Sequence, residues 1–316
     1  MEEKTLEILK KLEKKYQAMG QDLPSYLNGL LHADFITYWD YIHLDTLLSL
    51  QTPKTQFKDE MIFIVYHQIT ELYFKLILWE LEQITSKGFQ IEQLSEKVIR
   101  INRYFQQLIY SFEIMTSGMD PKEFLQFRMS LLPSSGFQSH QYRLIEFYAT
   151  GIDNLIAEDS KSILPKNASY EVKFNHLYWK KGATELSTGK KTLTLAQFEK
   201  QYRAPFIKKI KQLKSQNLNH IVQTVNKSAH LTVSLKKELR MFDQLANVYW
   251  PLAHYKSAVR YLQKKPKDIA ATGGTNWQKY LPPKFQRIIF FPGIWKEKEK
   301  NEWGKKWVSQ EIFNIK

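Results

Sequence analysis

The stretch at residues 61–84, MIFIVYHQITELYFKLILWELEQI, decides the fold class. Apolar side chains occupy most of its helical circumference, and a helix of that kind in a soluble protein is buried within a bundle. Its polar residues, His67, Glu71 and Lys75 among them, are too numerous for a lipid-facing span. The stretch therefore predicts a buried central helix that ends before Gly88.

Helical periodicity continues on both sides of this stretch. Apolar or amphipathic helical patterns occupy residues 5–19, 38–50, 96–115, 123–132, 137–150, 195–213 and 231–262. Pro251 is expected to kink or divide the last of them. Residues 160–195 carry proline and glycine among polar residues, which predicts an irregular insert or small subdomain. The predicted fold is all-α, a helical bundle that forms a single domain over residues 1–316.

Composition excludes several classes of function. The chain has 316 residues and no cysteine, so disulfides, cysteine-ligated zinc, a cysteine nucleophile and a thiolate-ligated haem are all excluded. The sequence contains no HExxH, GxSxG, GxGxxG or GxxxxGK[ST] motif, which removes support for zinc hydrolase, serine hydrolase, Rossmann and P-loop interpretations.

The net charge of +14 leaves a basic binding protein as one hypothesis. The lysines are scattered in pairs along the chain, which is more typical of solvated helix faces. The first residues alternate glutamate and lysine without an apolar segment, so a cytoplasmic location is expected.

Three polar residues stand out within apolar helical patterns. His67 lies in the most apolar one, where a hydrogen-bonded core histidine is the default interpretation. His254 lies in an aromatic stretch, where a core role is again the default. Arg128 precedes a small-residue loop, and a buried guanidinium needs an anion. That anion could equally be a ligand carboxylate or a structural Asp or Glu.

Short motifs follow one another between residues 35 and 296. They are YWDYIHLD (38–45), FIVYHQ (63–68), FLQFR (124–128), SSGFQS (134–139), QYR (141–143), TGGT (272–275) and FPGIW (291–295). In this order they resemble the tryptophan 2,3-dioxygenase family. The block from Arg128 to Ser139 is the most specific part of the resemblance, whereas TGGT alone is weak. The WPLAH sequence that ends at His254 departs from the family, whose members usually carry arginine there.

The resemblance implies a haem-binding bundle that assembles as a homotetramer. Haem b would lie between helices with His254 as the axial iron ligand, and Trp250 and Ser135 would lie beside the haem. His67 would be the catalytic residue on the distal side, near the indole N–H. The implied substrate contacts come from Phe63, Phe124, Arg128 and Thr272, with Tyr38 and Tyr41 reaching the site of a neighbouring subunit.

The activity implied by the resemblance is insertion of both atoms of dioxygen across the indole C2–C3 bond of L-tryptophan, giving N-formylkynurenine. One alternative is a divergent member of the family that hydroxylates or mono-oxygenates an aromatic amino acid or another indole. Another is a protein without catalytic activity, either a haem sensor or a basic helical binding protein.

Overall fold

The computed structural model describes residues 2–32, 37–128, 136–165, 167–184, 190–227, 231–262 and 286–304. Within these ranges the regular structure is helical, and pairing between extended segments is limited to two isolated bridges, Ile156 with Leu177 and Thr184 with Lys191. The all-α prediction is confirmed.

The α-helices follow one another along the chain. They are α1 (Glu3–Ala18), α2 (Leu23–Leu31), α3 (Tyr38–Tyr41), α4 (Leu44–Leu48), α5 (Asp59–Ile84), α6 (Leu94–Ser111), α7 (Glu113–Ser117), α8 (Pro121–Phe127), α9 (His140–Ala149), α10 (Glu158–Lys161), α11 (Tyr170–Asn175), α12 (Tyr178–Lys181), α13 (Leu193–Leu213), α14 (Leu218–Lys227), α15 (Val233–Gln244), α16 (Trp250–Leu262) and α17 (Glu297–Asn301). A π-helical turn, Leu245–Tyr249, joins α15 to α16.

The chain divides into two compact units, Met1–Thr52 and Pro53–Lys316. The first unit contains α1 to α4. The prediction of one helix over residues 38–50 was wrong, because His43 adopts a left-handed conformation (φ 53°) and separates α3 from α4. The break could not be predicted from the residue type, because a residue other than glycine, such as His43, rarely adopts the left-handed conformation.

The second unit is built around α5, which packs mainly against α6 and α9. Phe74, Ile77 and Leu81 of α5 are almost fully buried in these contacts. The helix ends at Ile84, and Gly88 has a positive φ of 81° that only glycine adopts easily, as the sequence predicted. α15 packs on α6 from another direction and completes the bundle around the core.

The opposite face of α5 is not covered in the described chain. Six apolar residues recur there at helical spacing and remain exposed: Met61, Val65, Ile69, Leu72, Leu76 and Trp79. The prediction that α5 is buried around its circumference is therefore corrected, since only one side of it packs in the core. Among the described residues α5 alone is long and apolar enough to cross a membrane, a test that core helices of soluble proteins also pass. The cytoplasmic location stays a prediction.

A further prediction from helical periodicity is confirmed. The long segment at residues 231–262 is divided just before Pro251, where the π-helical turn ends and α16 begins. The described part of residues 160–195 contains short helices, and an insert or small subdomain there stays a prediction. The helices α2 and α14 were not predicted.

Candidate functional site

A cavity of about 490 Å³ lies within the second unit. Its walls come from α5, α8, α9, α12 and α16, and most of its lining is aromatic or apolar. This volume and lining are typical of sites for small molecules and cofactors. Six of the residues singled out from the sequence line it: Phe63, His67, Phe124, Arg128, Trp250 and His254.

His67 projects into the cavity from α5. Its Nδ1 lies 2.7 Å from the carbonyl oxygen of Phe63, one turn earlier. Because a carbonyl oxygen only accepts, Nδ1 must carry the hydrogen, and Nε2 presents its lone pair to the cavity. Desolvation by the surrounding protein lowers the pKa of His67, despite the opposing effects of the hydrogen bond to Phe63 and the charge of Glu71. His67 is therefore a neutral hydrogen-bond acceptor at pH 7.

An aromatic wall stands beside His67. The Phe63 ring lies 4.0 Å from the His67 ring and 6.4 Å from the Phe124 ring, measured between centroids. Phe124 in turn lies 4.5 Å from the Tyr261 ring of α16. These rings form an aromatic part of the cavity wall next to an imidazole acceptor, which suits a planar aromatic ligand with one N–H group.

Arg128 follows the last turn of α8, where it is 4% exposed and lines the same cavity. Asp120 begins this helix by accepting hydrogen bonds from the amides of Lys122 and Glu123, with Pro121 in the first turn. Burial lowers the pKa of Arg128, although the group stays charged at any ordinary pH. A buried guanidinium at the wall of a cavity is suited to binding a carboxylate in a fork.

His254 faces the cavity from α16. Its Nδ1 lies 2.9 Å from the carbonyl oxygen of Trp250, so Nε2 again presents a lone pair. The rings of Trp250 and Phe112 lie 4.4 Å and 4.5 Å from its ring. Burial lowers the pKa of His254 to about 4, with a smaller lowering effect from His67 and against the raising effect of the hydrogen bond to Trp250. The imidazole is therefore neutral at pH 7, the form that binds a metal.

Another part of the cavity is polar. Arg143 and Tyr178 line it, and behind them Glu146 forms an ion pair with Arg143 (3.2 Å) and accepts a hydrogen bond from the Tyr178 hydroxyl (2.5 Å). The buried Nε of Arg143 has no hydrogen-bond partner among the described residues. Burial raises the pKa of Glu146 to about 7, against the lowering effects of Arg143 and Tyr178. This cluster offers a donor to an anionic group in the cavity.

The described residues contain no cluster of three or more His, Asp or Glu side chains that could hold a metal ion by themselves. One neutral imidazole is nevertheless enough for an iron whose in-plane ligands come from a porphyrin. The apolar walls, the Nε2 of His254 and the polar group of Arg143 fit such a ligand, because a haem is apolar across its ring and anionic at its propionates.

Four other predicted site residues are not placed in this cavity. Ser135 and Thr272 lie outside the described residues. Tyr38 and Tyr41 belong to the first unit, on α3, where 70% and 62% of each residue is exposed. The roles assigned to all four stay predictions.

No functional role was predicted for the residues of this polar cluster. Arg143 belongs to the QYR motif at residues 141–143, whereas Glu146 and Tyr178 had no assigned role. An Arg and a Glu three residues apart in a helix usually lie on its surface. The signal that distinguishes this pair is its setting among apolar residues, LIEFYA.

Comparison with known proteins agrees with the geometry. The family model for tryptophan 2,3-dioxygenase matches residues 28–274. A tryptophan 2,3-dioxygenase from Polaromonas sp. is 29% identical over 83% of this chain and 86% of its own length. Those from Ruegeria sp. and Bacillus thuringiensis are 43% and 42% identical over 36% and 38% of this chain. These two alignments span only 42% and 44% of the relatives' lengths. Because the family model covers most of the sequence, this chain belongs to the tryptophan 2,3-dioxygenase family.

Proposed function

We propose that this protein is a haem-dependent dioxygenase that cleaves the indole C2–C3 bond of L-tryptophan and produces N-formylkynurenine. The observation that supports this most is the arrangement of His67, Arg128 and His254 around one largely apolar cavity. Names of the relatives support the same activity. The activity needs an iron ligand, a partner for the amino-acid carboxylate and an acceptor for the indole N–H, and these three residues are suited to those roles.

In this proposal His254 holds the haem iron through Nε2. Trp250 fixes the orientation of the imidazole, because its carbonyl accepts the Nδ1 hydrogen. The rings of Trp250 and Phe112 keep water from the imidazole, and Arg143 donates to a propionate. The bound haem supplies the activation of dioxygen.

The substrate is bound and oriented by the other side of the cavity. Arg128 holds the carboxylate in a fork, and Phe63 and Phe124 hold the indole plane. His67 accepts the indole N–H at Nε2, which fixes the position of C2 and C3 relative to the reacting oxygen and keeps the nitrogen electron-rich. Thr272 is proposed to contact the ammonium or carboxylate group, and Ser135 to face the haem.

The functional assembly in this proposal is a homotetramer in which Tyr38 and Tyr41 reach the site of a neighbouring subunit. Support comes from the exposed apolar face of α5, since contiguous apolar surface of this kind marks a contact with another protein.

The test is to reconstitute the protein with haem, reduce it, add L-tryptophan and dioxygen, and measure the product mass. A product heavier than tryptophan by two oxygen atoms supports the proposal. One added oxygen would instead identify a divergent mono-oxygenase of the same family. Haem binding without any product would point to a sensor, and salt-dependent DNA binding without haem uptake to a basic binding protein.

A further inference from the structure

Asp243, near the end of α15, is fully buried and lies outside the cavity. Its carboxylate accepts four hydrogen bonds. Three come from residues 290–295, here called the C-terminal segment. Their donors are the amides of Phe290 (2.6 Å) and Phe291 (3.1 Å) and the indole nitrogen of Trp295 (2.8 Å). The fourth comes from the side chain of Asn247 (2.9 Å), within the π-helical turn. Asp243 therefore links the C-terminal segment to this turn.

The π-helical turn decides which way α16 faces. The amide of Trp250 donates to the carbonyl of Leu245, five residues earlier, so the turn contains one residue more than an α-helical turn. Each residue of an α-helix rotates the side-chain direction by about 100°. Without the extra residue, the face of α16 that carries His254 would be rotated by about that angle away from its present direction.

The backbone of the turn depends on side chains from elsewhere. Pro251 has no amide hydrogen, so it donates to neither Ala246 nor Asn247, the residues five and four positions earlier. The hydroxyl of Tyr142 donates to the Ala246 carbonyl instead (2.9 Å). Asn247, buried in the same turn, is held by Asp243.

We propose that Asp243 is a positioning residue for His254: through Asn247 it fixes the π-helical turn that directs the imidazole into the cavity, and it couples this turn to the segment 290–295. The inference rests on the proposed function, because it assigns to His254 the role of iron ligand. It concerns a residue outside the cavity that acts only through the backbone between α15 and α16.

Arg240 provides a matched control. It lies one turn earlier on α15 and binds the same C-terminal segment through Glu299 (2.5 Å and 3.1 Å) and through its contact with the Trp295 ring (3.9 Å from Cζ to the centroid). A change at Arg240 therefore loosens the segment without removing a bond to the π-helical turn.

The experiment compares the iron–histidine stretching band of the ferrous haem protein by resonance Raman spectroscopy in the wild type, Asp243→Asn, Asn247→Ala and Arg240→Ala. In Asp243→Asn an amide nitrogen faces main-chain donors and cannot accept their hydrogen bonds. We therefore expect the iron–histidine band to move to lower frequency and haem binding to weaken about 10-fold. This is the lower end of the loss of metal affinity that follows when a residue supporting a metal ligand is changed. Asn247→Ala, which leaves the three bonds to the C-terminal segment in place, should shift the band in the same direction by less. Arg240→Ala should lower thermal stability and leave the band unchanged.

Unchanged bands in both Asp243→Asn and Asn247→Ala would overturn the inference, as would an equal shift in Arg240→Ala. If Asp243→Asn does not fold, the test rests on Asn247→Ala: a shifted band supports the inference, and an unchanged band overturns it. If the wild type shows no iron–histidine band, or if its band persists in His254→Ala, the proposed haem ligation and this inference are both overturned. A wild-type band with no response in the variants would overturn the inference alone.

Discussion

His67 on α5 and His254 on α16 make the same contact within their helices: the Nδ1 of each imidazole hydrogen-bonds to the carbonyl oxygen four residues earlier. Both rings therefore present Nε2 to the cavity as a lone pair. Equal geometry does not imply equal roles. The rings of Trp250 and Phe112 lie against His254, whereas His67 lies beside the aromatic wall that Phe63 and Phe124 form.

This pair gives the first prediction. His254→Ala is expected to lose stable haem binding, because the iron loses its protein ligand, while His67→Ala keeps its haem. In His67→Ala we expect product formation to fall roughly 10- to 100-fold, the cost of leaving one buried donor of the substrate unpaired. The Soret band of each purified variant and its rate with L-tryptophan measure these effects. Loss of haem in His67→Ala with retention in His254→Ala would reverse the two assignments.

Arg128 gives the second prediction. Arg128→Ala should weaken binding of L-tryptophan by roughly 2–5 kcal/mol, since a buried carboxylate loses its partner. Arg128→Lys should recover only part of this, because an ammonium group does not form the planar fork. Titration of each variant with tryptophan and with tryptamine, which has no carboxylate, measures the effect. Equal affinity of the wild type and Arg128→Ala for tryptophan would make Arg128 a structural residue.

How far the sequence predicted this site depends on the backbone that carries each residue. Phe63, His67 and His254 lie on long periodic helices, so the helical spacing predicts which face of its helix each residue occupies. Tyr178 comes from the irregular region, where no periodicity relates it to the rest of the site. The extra residue of the π-helical turn could not be predicted either, because Leu245–Tyr249 is an apolar stretch compatible with an ordinary α-helix. Pro251 indicated that a break was near but not its type.

The burial of charged side chains could not be predicted from the sequence either. Arg143 and Glu146 have the spacing of a surface ion pair, and only tertiary packing removes them from water. The exposure of one face of α5 was not predicted for a related reason. When apolar residues surround a helix, the sequence does not indicate which side other helices of the same chain will cover.

The third prediction concerns pH. Burial raises the pKa of Glu146 from 4.5 to about 7, so between these values the folded protein holds a proton that the unfolded chain has released. The stabilisation from this group is complete below about pH 4.5 and is lost as the pH rises towards 7, on the order of 3 kcal/mol in total. Glu146→Gln, which does not ionise, should lack this decline. Free energies of urea unfolding on either side of the window test it, with the exposed Glu158→Gln as control. Parallel pH profiles for the wild type and Glu146→Gln would contradict the prediction.

The fourth prediction concerns assembly. Leu76 lies on the exposed face of α5 with 44% of its surface accessible. Leu76→Lys places a charge in the proposed contact and should reduce the assembled fraction, measured as mass by light scattering against the 37.6 kDa of one chain. Val233, at 89% exposure on α15, is an isolated apolar residue, and Val233→Lys should leave the mass unchanged. The same mass for the wild type and Leu76→Lys would place the contact elsewhere.

In the proposed mechanism, one cavity holds both the haem and the amino acid. A crystal structure of the reduced protein with haem and L-tryptophan, in the absence of dioxygen, tests it most directly. We expect iron on Nε2 of His254, the substrate carboxylate on Arg128 and the indole N–H on Nε2 of His67. Haem bound through a different residue, or tryptophan bound away from Arg128 and His67, would contradict it.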